Sequence, residues 1–193
     1  MRASARRTYR FLAFARDLLA LAGKLPAILR ARRRRCVSKA FEEKLMLTVT
    51  AVNGCSYCSW FHAREALRSG LAPDEIASLA SGAIDRRVHP AEAPGLLYAQ
   101  HFAESDRKPQ ADLTARLHQT YGDDVAGEIL LYLQIISVGN LCGNTFKSFL
   151  ERVRDRRFLD RGFLSELLVF VAVLPLFGFI AVLMRTDPKP AAD

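Results

Sequence analysis

Apolar residues recur at helical spacing from the first segment of the chain onward. Phe11, Phe14, Leu18, Leu21 and Leu25 stand at positions i, i+3, i+7, i+10 and i+14, which places them on one face of an amphipathic helix. No segment alternates apolar and polar residues between turn signals, as a half-buried strand would. The pattern therefore predicts an all-α protein that begins with an amphipathic helical arm, residues 1–37.

The same spacing continues through the middle of the chain. Glycine and proline mark the boundaries, because glycine favours helix ends and proline favours helix starts. Gly139-Asn140 and Gly143-Asn144 are candidate breaks in the last and longest of these elements. Six helices are predicted after the arm, over residues 45–52, 55–70, 73–82, 92–104, 110–120 and 124–157.

The most apolar part of the chain is the 18-residue run from Leu167 to Met184, which carries no charge. At helical rise it is roughly 27 Å long, close to the hydrocarbon thickness of a bilayer. We predict a transmembrane helix over residues 163–185 and a short tail over 186–193. The alternative is a buried helix at an oligomer interface. More arginines precede the run than follow it, so the positive-inside rule places the preceding domain on the cytoplasmic side of the membrane.

The chain is basic, with 28 Lys and Arg against 20 Asp and Glu and a formal net charge of +8. Much of the excess is local, in the run from Arg30 to Arg35. The arm that carries this run is expected to pack on its own domain or on a neighbouring subunit, or to lie on an anionic membrane surface. A nucleic-acid partner is not predicted, because no recognition motif or aromatic platform accompanies the arginines.

The candidate chemistry lies between Glu43 and Gly70. Cys55, Cys58 and His62 fall at i, i+3 and i+7 of one predicted helix and share a face. The dithiol is then in the first helical turn, where free N–H groups and the helix dipole favour a thiolate. An imidazole can take a thiol proton, and a carboxylate such as Glu43 can orient or recharge that imidazole. This arrangement predicts a redox-active dithiol with a proton relay.

These residues also carry a resemblance. The spacing Glu43-x11-Cys55-x2-Cys58-x3-His62 resembles the signature of the alkylhydroperoxidase D / carboxymuconolactone decarboxylase family, and residues 70–85 resemble the family's next helix-turn-helix segment. Tyr57 stands where the peroxidase branch often has a second histidine. The decarboxylase branch generally lacks the cysteine pair, so the resemblance favours the redox branch. It implies a helical bundle over residues 38–158.

The resemblance also implies roles. Cys58 would be the peroxidatic thiolate and Cys55 the resolving thiol, His62 would be the base, and Glu43 would complete the proton relay through a water molecule. A hydroperoxide would be the substrate, and a lipoylated or thioredoxin-like protein the reductant. The family resemblance further implies a trimer or hexamer and no cofactor.

Two other interpretations remain open from the sequence. Cys55, Cys58 and His62 offer three of the four ligands of a structural zinc site, with Cys36 or Cys142 as the fourth. Otherwise those two are single thiols of a protein in a reducing compartment. The second interpretation is decarboxylase-like chemistry on a small lactone or keto acid, with the thiols incidental.

A weak internal echo of the motif occurs later in the chain. The segment from Glu128 to Phe146 parallels the segment from Glu43 to Phe61, but it lacks a second cysteine and has Lys147 near the place of the histidine. We interpret this copy as structural.

Overall fold

The structure is a computed structural model that describes residues 7–156 and 162–186. The described residues form helices and connecting turns without any strand, which confirms the all-α class. The helices are α1 (Phe11–Gly23), α2 (Leu25–Arg34), α3 (Lys39–Asn53), α4 (Ser56–Arg68), α5 (Pro73–Ala80), α6 (Ala93–Glu104), α7 (Ala111–Arg154) and α8 (Phe163–Thr186).

Helix α3 is the centre of the bundle and packs against α4, α5, α6 and α7. Leu45 and Val49 are buried on one side of it and Leu47 on the opposite side, as the nearly unbroken apolar run predicts. The helix begins at Ser38, whose hydroxyl accepts a hydrogen bond from a first-turn N–H. It ends at Gly54, which adopts a left-handed backbone (φ 69°) that glycine tolerates best. This turn directs the chain straight into α4.

Helix α7 is longer than the sequence predicted. The expected boundary near residues 120–124 is confirmed, because Gly122 is non-helical (φ 74°, ψ 165°) and kinks the element. The candidate breaks at Gly139-Asn140 and Gly143-Asn144 are wrong, since the helix continues through both. Gly143 serves another purpose there: its missing side chain lets Cys55 and Phe177 approach the helix backbone.

The N-terminal helix is confirmed, and its apolar stripe is divided between the core and the surface. Phe14 of the stripe is buried, whereas Leu18 and Leu25 are half exposed. The other buried residue of α1 is Asp17, which bonds to two distant groups, the Tyr9 hydroxyl at 2.9 Å and the guanidinium of Arg107. Burial raises the pKa of the Asp17 carboxyl, but those two hydrogen bonds outweigh it and lower the pKa. Such an ion pair cannot be foreseen from apolar periodicity.

Helix α8 lies along the domain and packs mainly on α7, with smaller contacts to α1 and α4. Its buried residues fall three or four apart, on one stripe: Glu166, Val169, Val173, Phe177 and Ile180. Phe146 and Phe149 of α7 meet Phe170 at centroid distances of 4.8 and 4.4 Å. At its start, Glu166 accepts hydrogen bonds from Arg152 at 2.8 and 3.2 Å. The helix is therefore docked on the domain along one face.

Within residues 7–156 and 162–186, two helices are long and apolar enough to cross a membrane, α7 and α8. In the most apolar 18-residue window of α7, 61% of the residues are buried inside the protein, whereas in α8 the share is 22%. Helix α7 is thus a core helix, and α8 presents most of its apolar surface outward. Of the basic residues predicted to flank α8, Arg157, Arg161 and Lys189 lie outside the described residues, as do residues 187–193 of the predicted tail.

Candidate functional site: a buried dithiol beside a histidine–carboxylate pair

The two motif cysteines meet at the start of α4. Cys55 is the N-cap residue, and its sulfur accepts a hydrogen bond from the Cys58 N–H at 3.3 Å. The two sulfur atoms lie 2.8 Å apart and share a hydrogen bond. Both cysteines are free thiols and are buried, with exposures of 1% for Cys55 and 6% for Cys58. The helix-first-turn placement that the C-x-x-C spacing predicted is therefore what the structure shows.

The surroundings of the two sulfurs separate their acidities. The hydrogen bond from Cys58 lowers the pKa of Cys55, and first-turn N–H groups and the nearby Lys147 act in the same direction. The same hydrogen bond, together with burial, raises the pKa of Cys58 well above its usual value. These shifts make Cys55 the more acidic of the two thiols. The peroxidatic role expected for Cys58 stays a prediction, and it requires the Cys58 thiol to lose its proton.

Glu43 of α3 and His62 of α4 form the second half of the site. The Glu43 carboxylate contacts His62 Nδ1 at 2.7 Å, so the pair is direct and needs no bridging water. Burial would raise the pKa of Glu43, which is 1% exposed, but the hydrogen bonds from His62 and Lys39 outweigh it and lower the pKa. A carboxylate on Nδ1 leaves Nε2 as the ring nitrogen that exchanges a proton. Among the described residues, neither thiol hydrogen-bonds to His62.

Lys39 is a site residue that the sequence interpretation missed. Its ammonium contacts the second oxygen of Glu43 at 2.6 Å and Glu42 at 3.1 Å. The side chain of Lys39 is 53% exposed, so it connects the buried carboxylate to solvent. The available signal was the i, i+4 spacing of Lys39 and Glu43 on one helix face. Glu43 is thus held between a cation at the surface and the imidazole inside.

The other side of the dithiol is closed by α7 and α8. A β-carbon added at Gly143 would lie 2.6 Å from the Cys55 sulfur and 2.8 Å from the Phe177 ring, so both groups press on the same point of α7. Phe177 also meets Tyr57 and Phe146 at centroid distances of 6.0 and 5.9 Å. Tyr57, which stands where the peroxidase branch often has a second histidine, therefore packs with Phe146 and Phe177. We call these three aromatic residues the cover.

Polar groups of α7, in and next to the segment that parallels the motif, reach the site. Asn144 donates to the Asn53 carbonyl at 2.9 Å, which fixes the α3–α4 turn from outside. Lys147 reaches Ser56 at 3.4 Å, within the first turn that holds the thiols. The interpretation of this copy as purely structural overlooked Lys147, whose charge favours a thiolate at Cys55.

The zinc interpretation finds no ligand set. Over residues 7–156 and 162–186, no three His, Cys, Asp or Glu side chains are arranged to hold a metal ion. Cys36 is exposed at the end of α2 and Cys142 is buried in α7. Burial raises the pKa of Cys142 to about 12, so it remains a neutral thiol.

Comparison with known families gives one match, and it includes the whole motif. Residues 31–100 match the carboxymuconolactone decarboxylase family. The resemblance seen in the sequence is thereby confirmed over α3 to α6, which hold Glu43, Cys55, Cys58 and His62. The carboxymuconolactone decarboxylase match ends before α7 and α8, so Phe146 and Phe177 of the cover lie beyond it, whereas Tyr57 lies within it. No curated protein and no solved structure matches the chain.

Proposed function

We propose that this protein is a thiol-dependent peroxidase that reduces hydroperoxides through Cys55 and Cys58. The observation that carries the proposal is the contact between the two sulfurs at 2.8 Å at the start of α4, with the Glu43 carboxylate bound to His62 of the same helix at 2.7 Å. A buried dithiol with a lowered pKa at one sulfur suits nucleophilic attack and rapid disulfide formation. The family match is compatible with this activity, because the family includes alkylhydroperoxidase D-like proteins.

The reaction has two steps. In the first, the Cys58 proton passes to Cys55 or His62, and the Cys58 thiolate attacks the terminal oxygen of the hydroperoxide. An S–O bond forms, the O–O bond breaks, and the leaving alkoxide takes a proton to become an alcohol. In the second step Cys55 attacks the sulfenic sulfur, and hydroxide leaves as water after protonation. The dithiol loses two electrons, and the products are a disulfide, an alcohol and water.

The Glu43–His62 pair supplies and accepts the protons. With Glu43 on Nδ1, the imidazolium that forms on protonation is stabilised, as in other carboxylate–histidine pairs. Lys39 keeps Glu43 ionised and exposes the relay to solvent. A dithiol reductant then restores Cys55 and Cys58 by thiol–disulfide exchange. A lipoylated or thioredoxin-like protein is the class of partner that fits this step.

We further propose that the protein works as a homo-oligomer, a trimer or hexamer, at the cytoplasmic face of a membrane. Membrane association is supported by the outward apolar surface of α8, and the cytoplasmic side by the arginines of α2, which suit an anionic leaflet. The domain division into residues 1–37, 38–158 and 163–185 remains part of this proposal.

The test is a turnover assay. The full chain is given an organic hydroperoxide together with dihydrolipoamide or a thioredoxin system, and alcohol formation is followed. We expect turnover with the wild type and none above background with Cys58→Ser or Cys55→Ser. Cys36→Ser is the matched control, because Cys36 is exposed whereas the two motif cysteines are buried. Turnover at the wild-type rate in Cys58→Ser would refute the proposal.

A further inference from the structure

Exposed large apolar side chains are concentrated on two neighbouring helices. Most of those in the described residues belong to α1 and α8, and the most exposed are Leu12 at 80%, Leu19 at 73% and Leu164 at 66%. The two helices border a shared groove of about 990 Å³. We call the outward side of these helices the apolar face; it comprises Phe11, Leu12, Leu18, Leu19, Leu164, Leu168, Val171, Leu174, Leu176, Phe179 and Val182. A continuous surface of this kind indicates a partner.

The chemistry of the apolar face favours lipid over protein. From Leu167 to Met184 no side chain can form a hydrogen bond, whereas protein interfaces carry about one hydrogen bond per 100–200 Å². Arg10 and Arg16 line the groove between α1 and α8, and Arg185 follows the run. Exposed arginines at both ends of an apolar helix surface match the phosphates of an anionic lipid layer.

The inner side of the same helix closes the dithiol. Phe177 touches the point of α7 where Cys55 lies, and it completes the cover with Tyr57 and Phe146. Cys55 is 1% exposed under it. A hydroperoxide attached to an acyl chain therefore has no path to the sulfur on this side unless α8 moves.

The attachments of α8 are unequal along its length. Its start is fixed by polar contacts: Arg152 holds Glu166, and Ser165 accepts a hydrogen bond from the Phe11 N–H at 2.6 Å. Pro175 lies inside the helix and cannot donate the usual backbone hydrogen bond, which weakens the helix at that point. Beyond it, up to Met184, α8 has only apolar side chains. Moving this half of α8 away from the domain exposes apolar surface. That exposure costs free energy in water but not in lipid, whose tails are equally apolar.

We propose that α8 is a lipid-responsive cover: the apolar face binds an anionic lipid surface, and there the half of α8 beyond Pro175 leaves Cys55 and admits acyl-chain hydroperoxides. The substrate class rests on the proposed peroxidase function, whereas the movement of α8 does not. The acyl-chain hydroperoxide is reduced to the corresponding alcohol and water, and the dithiol supplies the two electrons as it becomes a disulfide.

The movement is tested by thiol alkylation, which needs no turnover. The reduced full chain is mixed with N-ethylmaleimide, without vesicles and with phosphatidylglycerol–phosphatidylcholine vesicles, and each cysteine is followed by peptide mass analysis. Exposed Cys36 is the internal reference. We expect anionic vesicles to raise the alkylation rate of Cys55 and Cys58 relative to Cys36 by about tenfold or more, as for opening of a locally stable segment.

Two variants test the inner side and the outer side of α8 separately. Phe177→Ala is expected to speed alkylation without vesicles and to remove most of the response to them. Phe179→Ala removes an equal ring from the apolar face and is expected to weaken flotation with vesicles. Leu97→Ala, an exposed apolar residue of α6, is the control and should change neither.

Three results would overturn the proposal. The chain could fail to float with anionic vesicles, or it could float with no change in the alkylation of Cys55 and Cys58. The third is sedimentation showing that a second copy covers the apolar face and that vesicles do not displace it. If alkylation responds but acyl-chain hydroperoxides are not reduced, the movement of α8 is supported and the acyl-chain substrate class is refuted. The peroxidase function itself is refuted if small organic hydroperoxides are not reduced either.

Discussion

The dithiol has two unlike sides. On the α3–α4 side lie the ionisable groups Glu43, His62 and Lys39, joined by contacts of 2.7 and 2.6 Å. On the α7–α8 side lie Gly143, Phe146 and Phe177, which pack against Cys55 and Tyr57 without a charged group. The first side lies within the carboxymuconolactone decarboxylase match, and α7 and α8 lie beyond it. Under the proposed function, proton transfer therefore depends on the matched helices, and access to the thiols depends on α7 and α8.

The largest effect, on the rate of peroxide turnover, is expected on the α3–α4 side of the dithiol. Glu43→Gln and His62→Ala each remove part of the relay and should slow peroxide turnover by about 10²–10⁴-fold. The chain offers a matched control in His118 and Asp123, which form a similar 2.7 Å pair at the surface. His118→Ala should leave turnover unchanged. Equal losses in the His118 and His62 variants, at equal stability, would contradict a specific relay.

An effect of intermediate size, on the free energy of unfolding, is expected on the α7–α8 side of the dithiol. Gly143→Ala places a methyl group against the Cys55 sulfur and the Phe177 ring, and overpacking of this kind costs about 1–3 kcal/mol of unfolding free energy. Gly139→Ala, one turn earlier, meets nothing within 4 Å and should stabilise the helix by about 1 kcal/mol. Denaturant unfolding of both variants measures the difference. If both variants were stabilised alike, α8 would not press on the dithiol.

The sequence predicted the proton side well, because its geometry is local. Cys55, Cys58 and His62 share one helix, and the short turn at Gly54 returns that helix against Glu43. The covered side could not be predicted, since Cys55 and Phe177, which both lie against Gly143, come from segments far apart in sequence. The run that contains Phe177 is apolar all round, so its composition does not say which face packs. The burial of Asp17 in α1 could not be predicted for a related reason: its partner Arg107 is also distant.

The difference in pKa between the two sulfurs is another feature that the motif spacing could not predict. The structure lowers the pKa of Cys55 and raises that of Cys58, whereas the resemblance assigned the attacking thiolate to Cys58. Cys58→Ala removes the hydrogen bond to Cys55 and should raise the pKa of Cys55. The midpoint of Cys55 alkylation against pH, measured in the presence of vesicles, should therefore move upward. An unchanged or lower midpoint would show that Cys58 does not stabilise the Cys55 thiolate.

The smallest effect is expected at Lys147, a charged residue of α7 near Cys55. Lys147→Met removes this cation and should raise the pKa of Cys55 less than Cys58→Ala does. The same alkylation profile measures the shift. Lys24→Met, a lysine that contacts Gln134 in the middle of α7, is the control and should leave the midpoint in place. If Lys147→Met raised the pKa of Cys55 more than Cys58→Ala does, Lys147 and not Cys58 would be the main influence on that pKa.

The central claim is that Cys55 and Cys58 form one redox pair, and disulfide mapping after a single turnover tests it most directly. Reduced full chain, wild type and Phe177→Ala in parallel, is exposed to an organic hydroperoxide with anionic vesicles, quenched in acid, unfolded and alkylated. Peptide mass analysis should show Cys55 bridged to Cys58, with Cys36 and Cys142 alkylated. The account is contradicted if both motif thiols remain alkylatable in both proteins after excess hydroperoxide.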